Sequence, residues 1–273
     1  MNEARKATGV TITVFSTASA VGKTLLAVNM ASELAREGFK TCIVDLDVQF
    51  GDVCNYLHIV PQKTLFTAQE AMKKEMDSFR VLDYLERYEY DGTAFSILAA
   101  PVLLEESYNI MTDAVLKLLQ LLQQQFDYIV LDTTAAFSEL NLAMMNVSTI
   151  ITFVGIVDFI PTVKNMKIGY DTMQSIGYGH KIRFVLNRSN SKTRIELSDV
   201  EQLLGGKFYH VLSNDFGGAL DSVQSGVPLI LANKGTDLAR EMRELVAKYT
   251  NRSLEEEDAE PAQGASWFKK IFR

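Results

Sequence analysis

The sequence predicts an α/β fold of three layers, a mostly parallel sheet with helices on both faces. Three observations carry this. The unit Val10-Thr11-Ile12-Thr13-Val14-Phe15 is short and rich in β-branched residues, as strands are. A loop of small residues and an apolar-periodic helix follow, and Thr41 to Asp47 then reads as a second strand, so the order is that of a parallel crossover. The same alternation of near-continuous apolar strands with helices runs on to Tyr249.

The elements follow in order. From Thr24 onward, Leu25, Leu26, Val28, Met30, Ala31, Leu34 and Ala35 recur at helical spacing until Gly38 stops the helix. The next strand, Thr41-Cys42-Ile43-Val44-Asp45-Leu46-Asp47, ends in two acids. Further strands are predicted at Phe95 to Ala99, Tyr128 to Asp132, Thr149 to Val154, Lys181 to Leu186 and Phe208 to Leu212. Helices are predicted at Ile110 to Gln125, Phe159 to Ser175, Gly217 to Ser225 and Asp237 to Tyr249. No internal repeat of fixed period is present.

Composition bounds the function. The chain of 273 residues is 47% hydrophobic and 22% charged, ordinary values for a soluble globular protein. A formal net charge of -7 argues against a nucleic-acid binder working through bulk positive charge. Cys42 and Cys54 have neither metal-pair nor redox-pair spacing, which points to a reducing, cytoplasmic compartment. Met1 to Lys6 is charged without a signal-peptide apolar run, and no stretch approaches the roughly 20 apolar residues that span a bilayer. His58, His180 and His210 are scattered and read as structural or surface residues.

The loop from Ser16 to Thr24 lies between a strand and a helix, where backbone N–H groups and the helix dipole converge on an anion. Gly22-Lys23-Thr24 matches the second half of a phosphate loop, with Lys23 for the β- and γ-phosphates and Thr24 for Mg²⁺. The pattern calls for Gly at position 17, where this chain has Thr17; the intervening Ala18, Ser19, Ala20 and Val21 are compact enough for the loop to close. A left-handed backbone at Thr17 would cost about 1–2 kcal/mol. Asp132 ends an apolar strand, and Asp45 and Asp47 end the strand beside the loop, at the carboxyl edge where open α/β sheets bind ligands. The plainer reading of these acids is that they cap strand ends and face water.

These segments give the chain a resemblance to the ParA/MinD family of P-loop ATPases, of the deviant Walker A type, and within it to the CpaE/TadZ branch linked to pilus assembly. The likeness runs from about Val10 to Tyr249 through Gly22 to Leu34, Ile43 to Val53, Leu98 to Pro101, Phe126 to Thr133 and Val185 to Arg188. The Asp47 to Asp52 stretch points to the pilus branch. The resemblance implies a cofactor set of ATP or ADP with Mg²⁺, bound by Ser19, Ala20, Val21, Gly22, Lys23, Thr24 and Leu25. It makes Thr24, Asp47 and Asp132 the metal residues and Asp47 and Lys23 the catalytic ones, with Asp45 in support. Asn187 and Arg188 would meet the base, and Ser213, Asn214 and Asp215 would line its pocket, with Ser213 where relatives usually carry Pro. The family's loop also carries an extra Lys near its start, which reaches across an ATP-sandwiched homodimer; that position is Ala18 here. Trans charge of this kind is worth about 10³–10⁵ in rate, so binding with slow or impaired hydrolysis is expected. Members of the pilus branch often carry a receiver-like domain, for which the residues before Val10 leave no room.

Composition changes after Thr250. Residues 1–250 read as the nucleotide-binding domain, 251–266 as an acidic flexible linker, and 267–273 as an amphipathic tail. Trp267, Phe268, Ile271 and Phe272 share one helical face, and Lys269, Lys270 and Arg273 the other, like the membrane-targeting tail of MinD. The alternative is a disordered peptide end. The function expected is an ATP-binding switch that dimerises and attaches peripherally to the inner, anionic face of the cell membrane. There it would position pilus or secretion machinery. A nucleotide-free pseudo-ATPase scaffold and a MinD- or flagellar-number-type positioning ATPase are the alternatives.

Overall fold

β1 (Val10–Phe15) runs through the interior of an eight-stranded sheet in the computed structural model, which describes residues 8–190, 195–232 and 235–252. α1 (Lys23–Arg36) crosses to β2 (Thr41–Asp45), and the short α2 (Val53–Tyr56) and α3 (Leu65–Lys74) follow. β3 (Glu86–Tyr90) and β4 (Thr93–Leu98) form a hairpin; α4 (Leu104–Ser107) and α5 (Thr112–Gln123) lead to β5 (Tyr128–Asp132). Then come α6 (Glu139–Val147), β6 (Ile150–Gly155), α7 (Ile160–Ser175), β7 (Ile182–Leu186), α8 (Leu197–Leu204) and β8 (His210–Val211). α9 (Phe216–Ser225), α10 (Leu229–Ala232) and α11 (Asp237–Thr250) complete the described chain.

The strand order is β3-β4-β2-β5-β1-β6-β7-β8, and every pairing is parallel except β3 with β4. Strand periodicity divides the core in two. Ile12, Val14, Ile43, Val130, Val154 and Val185 face α1, α10 and α11. Alternate residues face the other layer: Cys42, Val44, Ile129 and Leu131 pack with Leu118 and Leu122 of α5, and Phe153 with Met166 and Met173 of α7. The threonines of β1 are buried on that second side because each has a polar partner. Thr13 Oγ1 lies 2.6 Å from Ser148 Oγ, and Gln123 Nε2 donates to Thr11 Oγ1 at 3.0 Å.

α1 is the helix on which the first layer is built. Its buried Asn29 donates to Leu25 O at 2.8 Å and accepts from Ile230 N–H at 3.0 Å, which fixes α10 against it. Glu33, also buried, is paired with Arg36 at 2.7 Å. α11 lies alongside, with Leu238, Met242, Leu245 and Val246 buried on the same core.

Fold class and strand-helix order agree with the sequence reading, and the differences are local. The second strand stops at Asp45 rather than Asp47: Leu46 N–H makes a last bond to the neighbouring strand, to Asp132 O at 2.8 Å, and Asp47 lies beyond it. The β3–β4 hairpin was not predicted, although Asp91-Gly92 between two alternating runs is a hairpin signal. Both turn residues have positive φ, 47° and 76°. α3, α6 and α8, like the four-residue α2, α4 and α10, have no counterpart among the predicted helices; all are short, and α3 and α6 begin at side-chain caps, Thr64 and Ser138. The linker and tail from residue 253 lie outside the described residues.

Leu34 is wholly buried between α1 and the sheet. Leu34→Ala is expected to destabilise the protein by about 2–5 kcal/mol. Urea denaturation followed by circular dichroism measures this, and a loss below ~1 kcal/mol would contradict the packing described.

Candidate phosphate site

The carboxyl ends of β1, β2, β5, β6 and β7 lie along one edge of the sheet, so the loops that leave them meet there. The loop after β1 starts with buried Ser16, whose Oγ accepts from Ala18 N–H at 3.1 Å. Thr17 packs against α7, and a Cβ added to Gly169 would come within 2.3 Å of its methyl. Ala18 is half-buried and packs against the hydrophobic core. Contrary to the strain considered above for Thr17, the left-handed residues are Ala20 at φ 58° and Gly22 at φ 94°. These flank Val21 and give the loop the alternating hand of an anion-binding nest. α1 begins at Lys23 with no side-chain cap, which leaves its first N–H groups, those of Lys23, Thr24 and Leu25, facing the loop.

Three acids come together beside it. Asp45 and Asp132 are register partners at the ends of adjacent strands. Each is 1% exposed, so neither simply faces water. Asp45 Oδ1 accepts from Asp47 N–H at 3.2 Å and Oδ2 from Val53 N–H at 3.1 Å, so this carboxylate ties down both ends of the loop between them. Gly51 lies against it: an added Cβ would be 2.7 Å from Asp45 Oδ2 and 2.3 Å from the Ala100 Cβ. Asp47 is half-buried, and its Oδ1 accepts from Phe50 N–H at 3.3 Å.

Burial pushes the Asp45 carboxyl well above its usual range, and the neighbouring Asp132 adds to it. Asp132 is pushed up to about 7, chiefly by burial, with further repulsion from Asp47 and Asp52, while the Thr24 hydroxyl and the Lys23 ammonium pull it back. Lys23 is lowered by its own burial, against the attraction of Asp132 and Asp47.

One oxygen of Asp132, Oδ1, is buried without a hydrogen-bond partner. An orphaned carboxylate oxygen beside a hydroxyl and a second acid is a hard-oxygen environment, and it fits Mg²⁺. Among the described residues, no group of three or more His, Cys, Asp or Glu could hold a metal alone. Mg²⁺ commonly takes only one or two protein oxygens and completes its shell with phosphate and water. The residues that fit are Thr24, Asp47 and Asp132.

The loop after β7 closes the other side. Asn187 Nδ2 donates to Val21 O at 2.8 Å, and the Arg188 guanidinium donates to Ala20 O at 3.0 Å. Asn187 Oδ1 accepts from Arg188 N–H at 2.9 Å. These bonds use one amide proton and one lone pair of Asn187. After β8, the N–H and hydroxyl of Ser213 donate to Glu241 at 2.6 and 2.7 Å, and Asn214 N–H donates to Asn190 Oδ1 at 2.6 Å. Asp215 caps α9 by accepting from Gly218 N–H at 2.8 Å. Glu241 was not foreseen, since it lies in α11 far along the chain. A cavity of about 330 Å³ bordered by Tyr170, Arg183 and Tyr209 lies at the start of β7, across the sheet from the phosphate loop.

The sequence profile of the CobQ/CobB/MinD/ParA nucleotide binding domain matches residues 12–219, the span that holds this loop, its acids and Asn187. The chain belongs to that family. Solved structures of related fold agree. A ParA family ATPase from Chlorobium tepidum superposes with a TM-score of 0.79 at 18% identity, covering 87% of this chain and 98% of that one. MinD from Pyrococcus horikoshii, solved with Mg-ADP, gives 0.74 at 18% identity over 88% and 96%. MinD from Pyrococcus furiosus gives 0.75 at 20% identity over 89% and 99%. No curated protein matches the sequence. The CobQ/CobB/MinD/ParA assignment establishes a nucleotide-binding domain of the P-loop type.

The Asp132 shift carries a pH dependence. Its folded pKa of about 7 lies above the ordinary value of 3.8, so folding favours the protonated form. The contribution is fully present below about pH 4 and is lost as pH rises through about 7. Ligand-free protein should therefore lose stability relative to Asp132→Asn across that window, on the order of a few kcal/mol in total. Urea titrations of both proteins at pH 5 and pH 8 check this; an unchanged difference between them would sink it.

Proposed function

We propose that the protein is a Mg-ATP-binding switch with slow or impaired hydrolysis that works as a homodimer at the inner face of the cell membrane. The observation that carries the nucleotide part is the convergence of the uncapped start of α1, the nest at Ala20 to Gly22, Lys23 and the orphaned Asp132 Oδ1 at one point. The matched family and the Mg-ADP bound by the Pyrococcus horikoshii relative support it. In this reading Mg²⁺, when bound, neutralises phosphate charge. Thr24, Asp47 and Asp132 hold its shell, Lys23 meets the β- and γ-phosphates, and Asp47 orients the attacking water. Asn187 and Arg188 lie beside the base, and Ser213, Asn214 and Asp215 border its pocket.

Slow turnover follows from Ala18, which packs inward where a lysine would reach the partner subunit's nucleotide. Dimerisation is supported by exposed apolar side chains on the β2–α2 loop and at the first residues of α7 and α9: Phe50 at 72%, Ile160 at 74% and Phe216 at 68%. Such side chains are what a second copy would cover. Titration calorimetry with Mg-ATP tests the site: the wild type should bind and Lys23→Ala should lose binding at least tenfold. Absence of heat in both proteins favours the nucleotide-free scaffold instead.

The membrane part rests on the tail, Trp267, Phe268, Lys269, Lys270, Ile271 and Phe272. Among the described residues no helix is long and apolar enough to cross a membrane. Each large apolar side chain contributes roughly 1.5–3 kcal/mol if fully buried, and each basic residue about 1 kcal/mol near anionic lipid. Ordering so short a helix subtracts from this, so one tail binds marginally, and two on a dimer gain through effective concentration. Positioning of pilus or secretion machinery is the role this arrangement suits, the Asp47 to Asp52 stretch being the sequence feature that favours the CpaE/TadZ branch over MinD- or flagellar-number-type factors. Pelleting with anionic liposomes should require residues 267–273 and increase with Mg-ATP. Equal pelleting of the truncated chain refutes the tail's role.

A further inference from the structure

The loop after β7 does more than border a base pocket. Two consecutive carbonyls of the phosphate loop, those of Ala20 and Val21, are taken by two consecutive residues of the β7 loop, Arg188 and Asn187. A trans peptide is planar, with its C=O and N–H pointing in opposite directions. Holding the Ala20 and Val21 carbonyls toward the β7 loop therefore turns the N–H groups of Val21 and Gly22 away from it.

The contact is specific in three ways. Arg188 is itself left-handed, at φ 57°, facing left-handed Ala20 at φ 58°. A non-glycine residue in that region is strained, so two of them persist only where the surroundings hold them. Asn187 supplies part of that hold, because its Oδ1 accepts the N–H of the strained Arg188 at 2.9 Å while its Nδ2 holds Val21. Gly22 admits no side chain on this side: an added Cβ would be 2.6 Å from Asn187 Nδ2.

We propose that Asn187 and Arg188 form a clamp on the phosphate loop that presets the Val21 and Gly22 amides for an anion before any nucleotide arrives. Both are positioning residues here, acting through the loop's peptide planes. The proposal rests on the nucleotide reading above and gives these residues a phosphate-directed role distinct from contact with a base. It also supplies, within one chain, preorganisation for a loop that has Thr17 in place of glycine and Ala18 in place of lysine.

Two measurements on the full chain test it. In calorimetry, Arg188→Ala should weaken Mg-ATP and Mg-tripolyphosphate alike by roughly tenfold, the effect of one charge-assisted hydrogen bond. Arg188→Lys, which keeps a charged donor, should recover part of that loss. A loss confined to Mg-ATP, or none, overturns the clamp, because a base contact leaves tripolyphosphate unaffected. In ligand-free protein, the Val21 and Gly22 amide resonances should be single in the wild type and broadened or multiple in Arg188→Ala, at an unchanged melting midpoint. Identical amide spectra overturn the clamp. A wild type that binds neither probe overturns the nucleotide reading, while the amide spectra still decide the clamp.

Discussion

Asp45 and Asp132 are carboxylates buried side by side at the ends of adjacent parallel strands, and the site takes its form from that placement. Two such groups in one apolar setting cannot both ionise without partners. Asp45 is satisfied by two backbone N–H groups, and in accepting them it shapes the loop from Asp47 to Val53. Asp132 keeps one oxygen unpartnered and turns toward Lys23 and Thr24 at the start of α1. The same strand positions therefore yield one structural acid and one available acid.

The parallel crossover supplies the rest. β1 enters between β5 and β6, so the loop that follows it must turn sharply to start α1 above the sheet. That turn uses left-handed backbone at Ala20 and Gly22, and the β7 loop braces it from the side. Packing behind the turn is tight: α1 buries Leu26, Val28, Met30 and Leu34, and Asn29 ties it to α10. A phosphate loop in this chain is thus held from below by the core and from one side by Asn187 and Arg188.

Much of this is legible in the sequence. β1 and β5 fall at the residues that their β-branched runs mark, and α7 and α11 differ from the periodicity by a residue. Lys23 and Thr24, expected from the loop pattern, lie beside Asp132, expected from its strand end, and Asp47 is close to both Lys23 and Asp132. Of the β3–β4 hairpin only β4 is legible in the sequence, although Asp91-Gly92 marks the turn, because Glu86 to Tyr90 is too polar to read as a buried strand. The left-handed backbone that the missing glycine suggests for Thr17 lies instead at Ala20. Thr17 instead packs its methyl against Gly169 of α7, a neighbour far away in sequence.

Residue types and local periodicity by themselves determined the fold class, the phosphate loop and the acids at the strand ends, because strand and helix burial repeat over a few residues. The tertiary structure decided what no local pattern encodes. It buried Asp45 on backbone donors, left Asp132 Oδ1 unpartnered, and set Asn187 and Arg188 against the Ala20 and Val21 carbonyls. Each of these depends on a contact between distant segments, so the same side chains in another topology would face water.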